Sequence, residues 1–136
     1  MGARTSGREA ALQMLFALDG GGSADEAMRE FWRELPGDAE GRAYADEVVR
    51  GVIALREELD RRIAHASHHW RLERMTRVDR NVLRIAAWEL SEQPEIPRAV
   101  IIDEAVDLAK RFGTAESGAF VNGVLSKVAD ECGRTE

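Results

Sequence analysis

The feature that most constrains this chain is a helical rhythm running, with legible starts and stops, from Thr76 to Leu125. Val78, Val82, Ile85, Ala86 and Leu90 recur three or four positions apart. That spacing puts apolar side chains on one face of an α-helix and does not fit the alternation of a strand. Thr76 and Asp79 have the spacing of a helix cap. Pro94 and Pro97 bracket the next turn, with Pro97 suited to the first position of a helix. Ile101, Ala105, Leu108, Ala109 and Phe112 repeat the stripe, leaving Asp103, Asp107, Lys110 and Arg111 mainly outside, and Gly113 is the expected stop. Phe120, Val121, Val124, Leu125 and Val128 mark one more helix. Asn122-Gly123 would signal a hairpin between strands, but its flanks place it inside this helix. Glycine there costs about 1 kcal/mol relative to alanine, which implies close packing or ligand approach.

Upstream, Ser6-Gly7-Arg8-Glu9 has the spacing of a capping box, so a first helix is expected to start at Ser6 and to stop at Gly20-Gly21-Gly22. Ser23 or Asp25 can cap a short helix that carries Ala27, Met28, Phe31, Trp32 and Leu35 and ends at Pro36-Gly37. A third helix is expected from about Asp38 to Leu55. A fourth follows through Leu59, Ile63, Ala66 and Trp70, and the boundary near 55 reads equally as a break or a kink. Leu72 and Met75 sit in a short connection with room for one helical turn. The expected architecture is all-α: a single compact bundle of about seven helices forming one domain over residues 1–136.

The 44% hydrophobic and 32% charged content is that of a folded chain, not a disordered one. One cysteine, Cys132, cannot form an internal disulfide and suits a reducing cytoplasm. The apolar stretch from Leu12 to Leu18 is interrupted by Gln13 and lacks a cleavage site, so it does not read as a signal peptide. No segment approaches the ~20 apolar residues of a membrane span. The net charge of -6 argues weakly against nucleic-acid binding, but residues 61–84 hold seven arginines against Glu73 and Asp79. Such a local cluster can form an electropositive face on an acidic protein, because screening confines each charge to about a Debye length. From charge alone, solvated helix flanks are the simpler account.

Catalytic patterns are missing. The glycine run has no Gly-Lys-Ser/Thr after it, and nucleophile elbows and dinucleotide-binding patterns are absent. His65 and His69 fall one helical turn apart, a spacing that can hold zinc, yet no further ligand completes a recognised set. Surface histidines beside arginines are the better reading, and no cofactor is expected. Cys132 has only Lys127 and Arg134 as basic neighbours on its own helix, and nothing there marks it as activated. Phe120 and Phe16 each admit two roles, core residue or stacking platform for an unpaired base. Arg4 and Arg8, one turn apart, are either a solvated terminus or phosphate contacts.

V-D-R-N-V-L-R-I-A-A-W-E-L, I-P-R-A-V-I-I-D-E-A-V-D-L-A-K-R-F-G and F-V-N-G-V-L resemble the NusB family of bacterial transcription antitermination factors. So do the opening R-E-A-A-L-Q-M-L-F and the W-R-L-E-R-M segment. The resemblance spans nearly the whole chain in order. It implies an all-helical, non-enzymatic RNA-binding protein that pairs with NusE, a small-subunit ribosomal protein. The two together bind the single-stranded boxA element in ribosomal RNA operon transcripts and join RNA polymerase with other Nus factors in the cytoplasm, with no membrane role.

By this resemblance Arg4, Arg8, Glu116, Ser117 and Phe120 belong to the RNA side, and Glu73, Asp79 and Arg80 to the NusE side; Phe16 joins the RNA set on the stacking reading of its own residue type. Some members self-associate, so a homodimer stays open. The resemblance also implies the free-standing form rather than the one fused in front of ribosomal-RNA cytosine methyltransferases. One departure matters: Thr5 and Ser6 interrupt the dense N-terminal arginine run common in the family. Fewer phosphate contacts imply weaker RNA binding alone, a shallower salt dependence and greater reliance on the partner. The competing reading is a helical protein-interaction scaffold with weak or no RNA binding.

Overall fold

Helical periodicity carries through to the tertiary structure, a computed structural model that describes every residue except Met1, Pro36 and His69. Among the described residues there are seven α-helices, one 3-10 turn and no strand. The Pro36 helix stop and the His69 half of the histidine pair lie outside the described residues. The chain divides between Ala54 and Leu55 into two compact units. Of the two readings near 55, break or kink, the structure shows a break, with one helix ending at Ala54 and the next starting at Arg56.

The first unit holds α1 (Ala3–Leu18), α2 (Ala24–Glu34) and α3 (Ala39–Ala54). α1 begins three residues before the expected Ser6, with Gly2 as an uncapped N-cap. Tertiary packing overrides the capping preference here. A Cβ on Gly7 would lie 2.9 Å from the Gly41 carbonyl oxygen and 3.1 Å from the Tyr44 ring, so α1 meets α3 at near-backbone distance. That close approach holds the first turn helical without help from Ser6. Ala11 and Ala45, both fully buried, continue the small-residue seam.

Gly21 and Gly22 end the first helix's exit at φ +101° and +110°, a region open chiefly to glycine. Ser23 then caps α2 by accepting from the Glu26 N–H at 3.4 Å. Trp32 is buried and donates from Nε1 to Asp46 Oδ1 at 2.8 Å, tying α2 to α3. Asp38 accepts from the Gly41 N–H at 2.6 Å and so caps α3.

The second unit holds α4 (Arg56–Ser67), the 3-10 turn Leu72–Arg74, α5 (Arg77–Glu92), α6 (Arg98–Phe112) and α7 (Ser117–Glu131). α5 packs against α4, α6 and α7. Every residue from Asn81 to Leu90 is buried, polar ones included. Acidic side chains are included: Glu89 and Asp79 are 1% and 8% exposed. A helix surrounded on all sides has no outer face to offer them. Arg84 answers its burial with a two-pronged pair to Asp60, Nε to Oδ1 at 2.8 Å and Nη2 to Oδ2 at 3.1 Å.

Pro97 caps α6 rather than opening it, one residue from expectation. Gly113 does end α6, but at φ -103° it uses no left-handed backbone. Space is the reason for glycine: a Cβ would stand 2.4 Å from Ser117 Oγ. Gly123 lies inside α7 with nothing within 4 Å of an added Cβ, so close packing does not explain it. The close approach occurs instead at Gly118, where a Cβ would meet the Lys110 side chain at 3.0 Å.

Candidate nucleic-acid interface

α4 stops at Ser67 because His68 takes φ +46°, a left-handed conformation. Trp70 therefore leaves the core stripe on which the sequence placed it and stands 55% exposed. Ser67 Oγ donates to the Trp70 carbonyl at 2.9 Å and the Trp70 N–H returns to the Ser67 carbonyl at 3.2 Å, which fixes the backbone there. The 3-10 turn follows. Arg80, half-buried, donates from Nη1 to the carbonyls of Leu72 and Met75 and holds that turn against α5. Thr76 caps α5 as its spacing implied, accepting from the Asp79 N–H at 3.1 Å.

These restraints surround a cavity of about 340 Å³ lined by Trp70, Arg74, Met75, Thr76, Asp79, Glu116 and Phe120. Phe120 sits in the first turn of α7. Val121, Leu125 and Val128 fill the core beside it, and Phe120 stays at the margin, half-buried. Its ring meets Trp70 edge-to-face, with centroids 6.2 Å apart and planes at 71°. Neither of the two readings of Phe120 is complete alone: one side of the ring packs, and the cavity side remains available. Glu116 is exposed at the rim. Ser117, in contrast, is 1% exposed. Its hydroxyl accepts from the Thr114 N–H at 2.9 Å and shapes the 114–117 turn.

The structure thus brings Glu116 and Phe120, from the RNA set, together with Asp79, from the partner set. Glu73 is exposed on the 3-10 turn beside them. Trp70 and Arg74 are functional candidates that sequence reasoning missed. The available signal was a tryptophan at the last position of a stripe, with an arginine and a non-periodic connection after it.

The first unit carries the other candidates separately. Arg4 is exposed and Arg8 is 3% exposed, and their guanidinium carbons lie 6.0 and 5.9 Å from the Tyr44 ring centroid. A phosphate contact from Arg8 requires the side chains that cover it to move. Phe16 is 42% exposed.

The histidines and the cysteine have other neighbours. His65 Nδ1 lies 2.5 Å from Glu131 Oε2, and His68 contacts Lys127. No group of three or more His, Cys, Asp or Glu residues placed to hold a metal occurs among the described residues. Cys132 does have a basic neighbour, which a reading confined to its own helix could not show: Arg62 Nη1 donates to its Sγ at 3.2 Å from α4.

The NusB family model matches residues 5–130, most of the chain and both units. This chain belongs to the NusB family. The transcription antitermination protein NusB of Sorangium cellulosum is 65% identical, with 100% of this chain and 98% of that protein covered. Among solved structures, T. maritima NusB superimposes with a TM-score of 0.87 at 36% identity, covering 94% of this chain and 91% of that one. A NusB chain from the crystal structure of antitermination factors NusB and NusE in complex with dsRNA gives a TM-score of 0.88 at 28% identity, covering 96% and 98%. The all-helical NusB architecture expected from the sequence is the one observed. No helix among the described residues is long and apolar enough to cross a membrane.

Proposed function

We propose that this NusB-family chain is a cytoplasmic, non-catalytic antitermination factor. It binds boxA-type single-stranded RNA jointly with a NusE-like small-subunit ribosomal protein, and acts on ribosomal RNA operon transcripts within the RNA polymerase complex of Nus factors. The observation that carries this reading is the cavity with the Trp70–Phe120 ring pair at its mouth. Unpaired bases are recognised by stacking on aromatic side chains and by hydrogen bonds to their edges. In the second unit Phe120 supplies the stacking surface, with Glu116 at the rim and Ser117 shaping the turn that presents it. In the first unit Arg4 supplies sequence-independent attraction to phosphate, Phe16 a further apolar surface, and Arg8 a contact conditional on uncovering. The solved assembly of antitermination factors NusB and NusE with dsRNA supports the choice of NusE as protein partner and of RNA as ligand class. The continuous family match supports treating residues 1–136 as one functional domain.

Glu73, Asp79 and Arg80 occupy the shoulder where the 3-10 turn meets α5, and the partner protein is placed there. Of the three, Glu73 is the exposed group, Arg80 is engaged in holding the turn, and Asp79 lies in the cavity wall. The burial of Arg8 favours the scaffold alternative in one respect, since it removes one of two N-terminal guanidiniums from the surface. Binding of the chain to boxA and scrambled RNA, with and without NusE and across salt concentrations, separates the two. Joint binding predicts cognate preference and tighter association with NusE. Equal affinity for both RNAs in the presence of NusE overturns it, and no RNA-dependent shift beyond NusE alone establishes the scaffold.

A further inference from the structure

The first unit carries a groove that none of the residues assigned to RNA or NusE lines. It has a volume of about 440 Å³ and lies between the end of α1 and one side of α2. Met14, Ala17 and Leu18 line it from α1, and Ala27, Phe31 and Leu35 from α2 and the residue after it. Met28 and Trp32 already give α2 its buried face, so 27, 31 and 35 form a second apolar row on the same helix. Phe31 is half-buried, its ring edge-on to Trp32 with centroids 4.8 Å apart, and Leu35 is 54% exposed.

Beside that apolar row runs an acidic one. Glu26, Glu30 and Glu34 are the charged residues that line the groove, and all three are exposed. Their carboxylates have no ion-pair partner among the described residues. Like charges four positions apart weaken a helix. Glu34, the last residue of α2, also stands where the helix dipole opposes a carboxylate. A row that costs its own helix stability and bonds to nothing within the chain points to a cationic group from outside.

We propose that this groove docks an amphipathic α-helix of a partner protein, one with an apolar row flanked by lysines or arginines. The two rows of α2 advance together by about 6 Å per four residues, the repeat of any helix laid along them. Apolar anchors at that repeat enter between α1 and α2, and the neighbouring basic side chains reach Glu26, Glu30 and Glu34. The acidic row repels the phosphates of nucleic acid, which sets this surface apart from the RNA side. The proposal adds a protein contact and does not depend on the RNA-binding reading.

The test titrates the full chain with a labelled helical peptide of about four turns, followed by fluorescence anisotropy and amide chemical shifts. The peptide carries leucines at every fourth position and lysines beside them. One control replaces the lysines by glutamates, and another scrambles the order at fixed composition. The lysine peptide is expected to bind about tenfold more tightly than either control, to weaken with salt, and to shift Ala17, Ala27, Phe31 and Leu35. The double variant Glu30→Gln/Glu34→Gln is expected to lose about tenfold in affinity and to melt no lower than the parent. Equal affinity for the three peptides, shifts centred elsewhere, or affinity unchanged in the variant overturns the proposal. A lower melting temperature of the variant assigns the row to the fold and overturns it. Displacement of the peptide by NusE assigns the groove to that partner, and self-association lost in the variant assigns it to a second copy; either result also overturns it.

Discussion

Two carboxylates around α5 live under opposite rules. Asp60 receives both prongs of the Arg84 guanidinium, whose side chain is 5% exposed, and Asn81 accepts a third bond from Arg84 at 3.2 Å. Asp79, near the N-terminus of α5, lines a cavity, and its enclosed Oδ1 has no hydrogen-bond partner among the described residues. The bonded carboxylate of Asp60 ties α4 to α5, whereas the enclosed Oδ1 of Asp79 carries a desolvation cost that no hydrogen bond among the described residues offsets. The contrast marks the end of α5 where function concentrates.

Breaking the paired side should have the largest effect. Asp60→Ala leaves the buried Arg84 guanidinium with Asn81 but without its carboxylate, and is expected to lower unfolding free energy by about 2 kcal/mol, between the scales for an exposed bridge and a fully buried pair. Urea unfolding measures it, and a loss below about 1 kcal/mol would place this pair with ordinary surface bridges.

At the cavity, Phe120→Ala is expected to weaken RNA binding by about 1–3 kcal/mol. Its effect on stability should be smaller than the about 3–5 kcal/mol typical of a core phenylalanine. Melting and RNA affinity on the same variant decide between these roles, and a stability loss of full core size with unaltered RNA affinity would return Phe120 to the interior. Asp79→Asn sharpens the comparison from the other side. With no hydrogen-bond partner on its Oδ1 among the described residues, the substitution should change stability by at most about 1 kcal/mol, the scale of a carboxylate's interaction with a helix N-terminus.

In the first unit, Arg4→Ala should weaken RNA binding across sequences and reduce the salt slope by about one. Arg8→Ala should appear first in the melting temperature, since Arg8 is buried against Tyr44. The smallest expected effect is at Glu136. The hydrogen bond from Arg134 holds its carboxyl below the usual carboxylate range. A depressed folded-state value gives stability that is present at neutral pH and lost as pH falls through that value. Glu136→Gln should remove this minor acid-side dependence while leaving the bonds from Arg134 to the Leu90 and Ile96 carbonyls in place, measured by unfolding at pH 3 to 7.

The stripe from Val78 to Leu90 showed that α5 is a helix because its period is a local property of consecutive residues. The same stripe could not show that Arg84 and Glu89 are buried, since that follows from α4, α6 and α7 closing around it. Ser6 illustrates the reverse: a sound capping pattern lost to the contact of Gly7 with Gly41, a pairing across more than thirty positions that no local rule contains. For the site, Phe120 and Glu116 were legible beside a turn and a helix start. Trp70 was not, because its exposure depends on a left-handed backbone at His68 rather than on its own spacing.

Sequence alone determined the helices, some of their caps and the family, because periodicity, turn chemistry and motif order are written along the chain. Only the tertiary structure decided which polar groups are enclosed and which of those are left unsatisfied. That depends on the neighbours each side chain meets in space: Asp60 met Arg84, and Asp79 met a cavity.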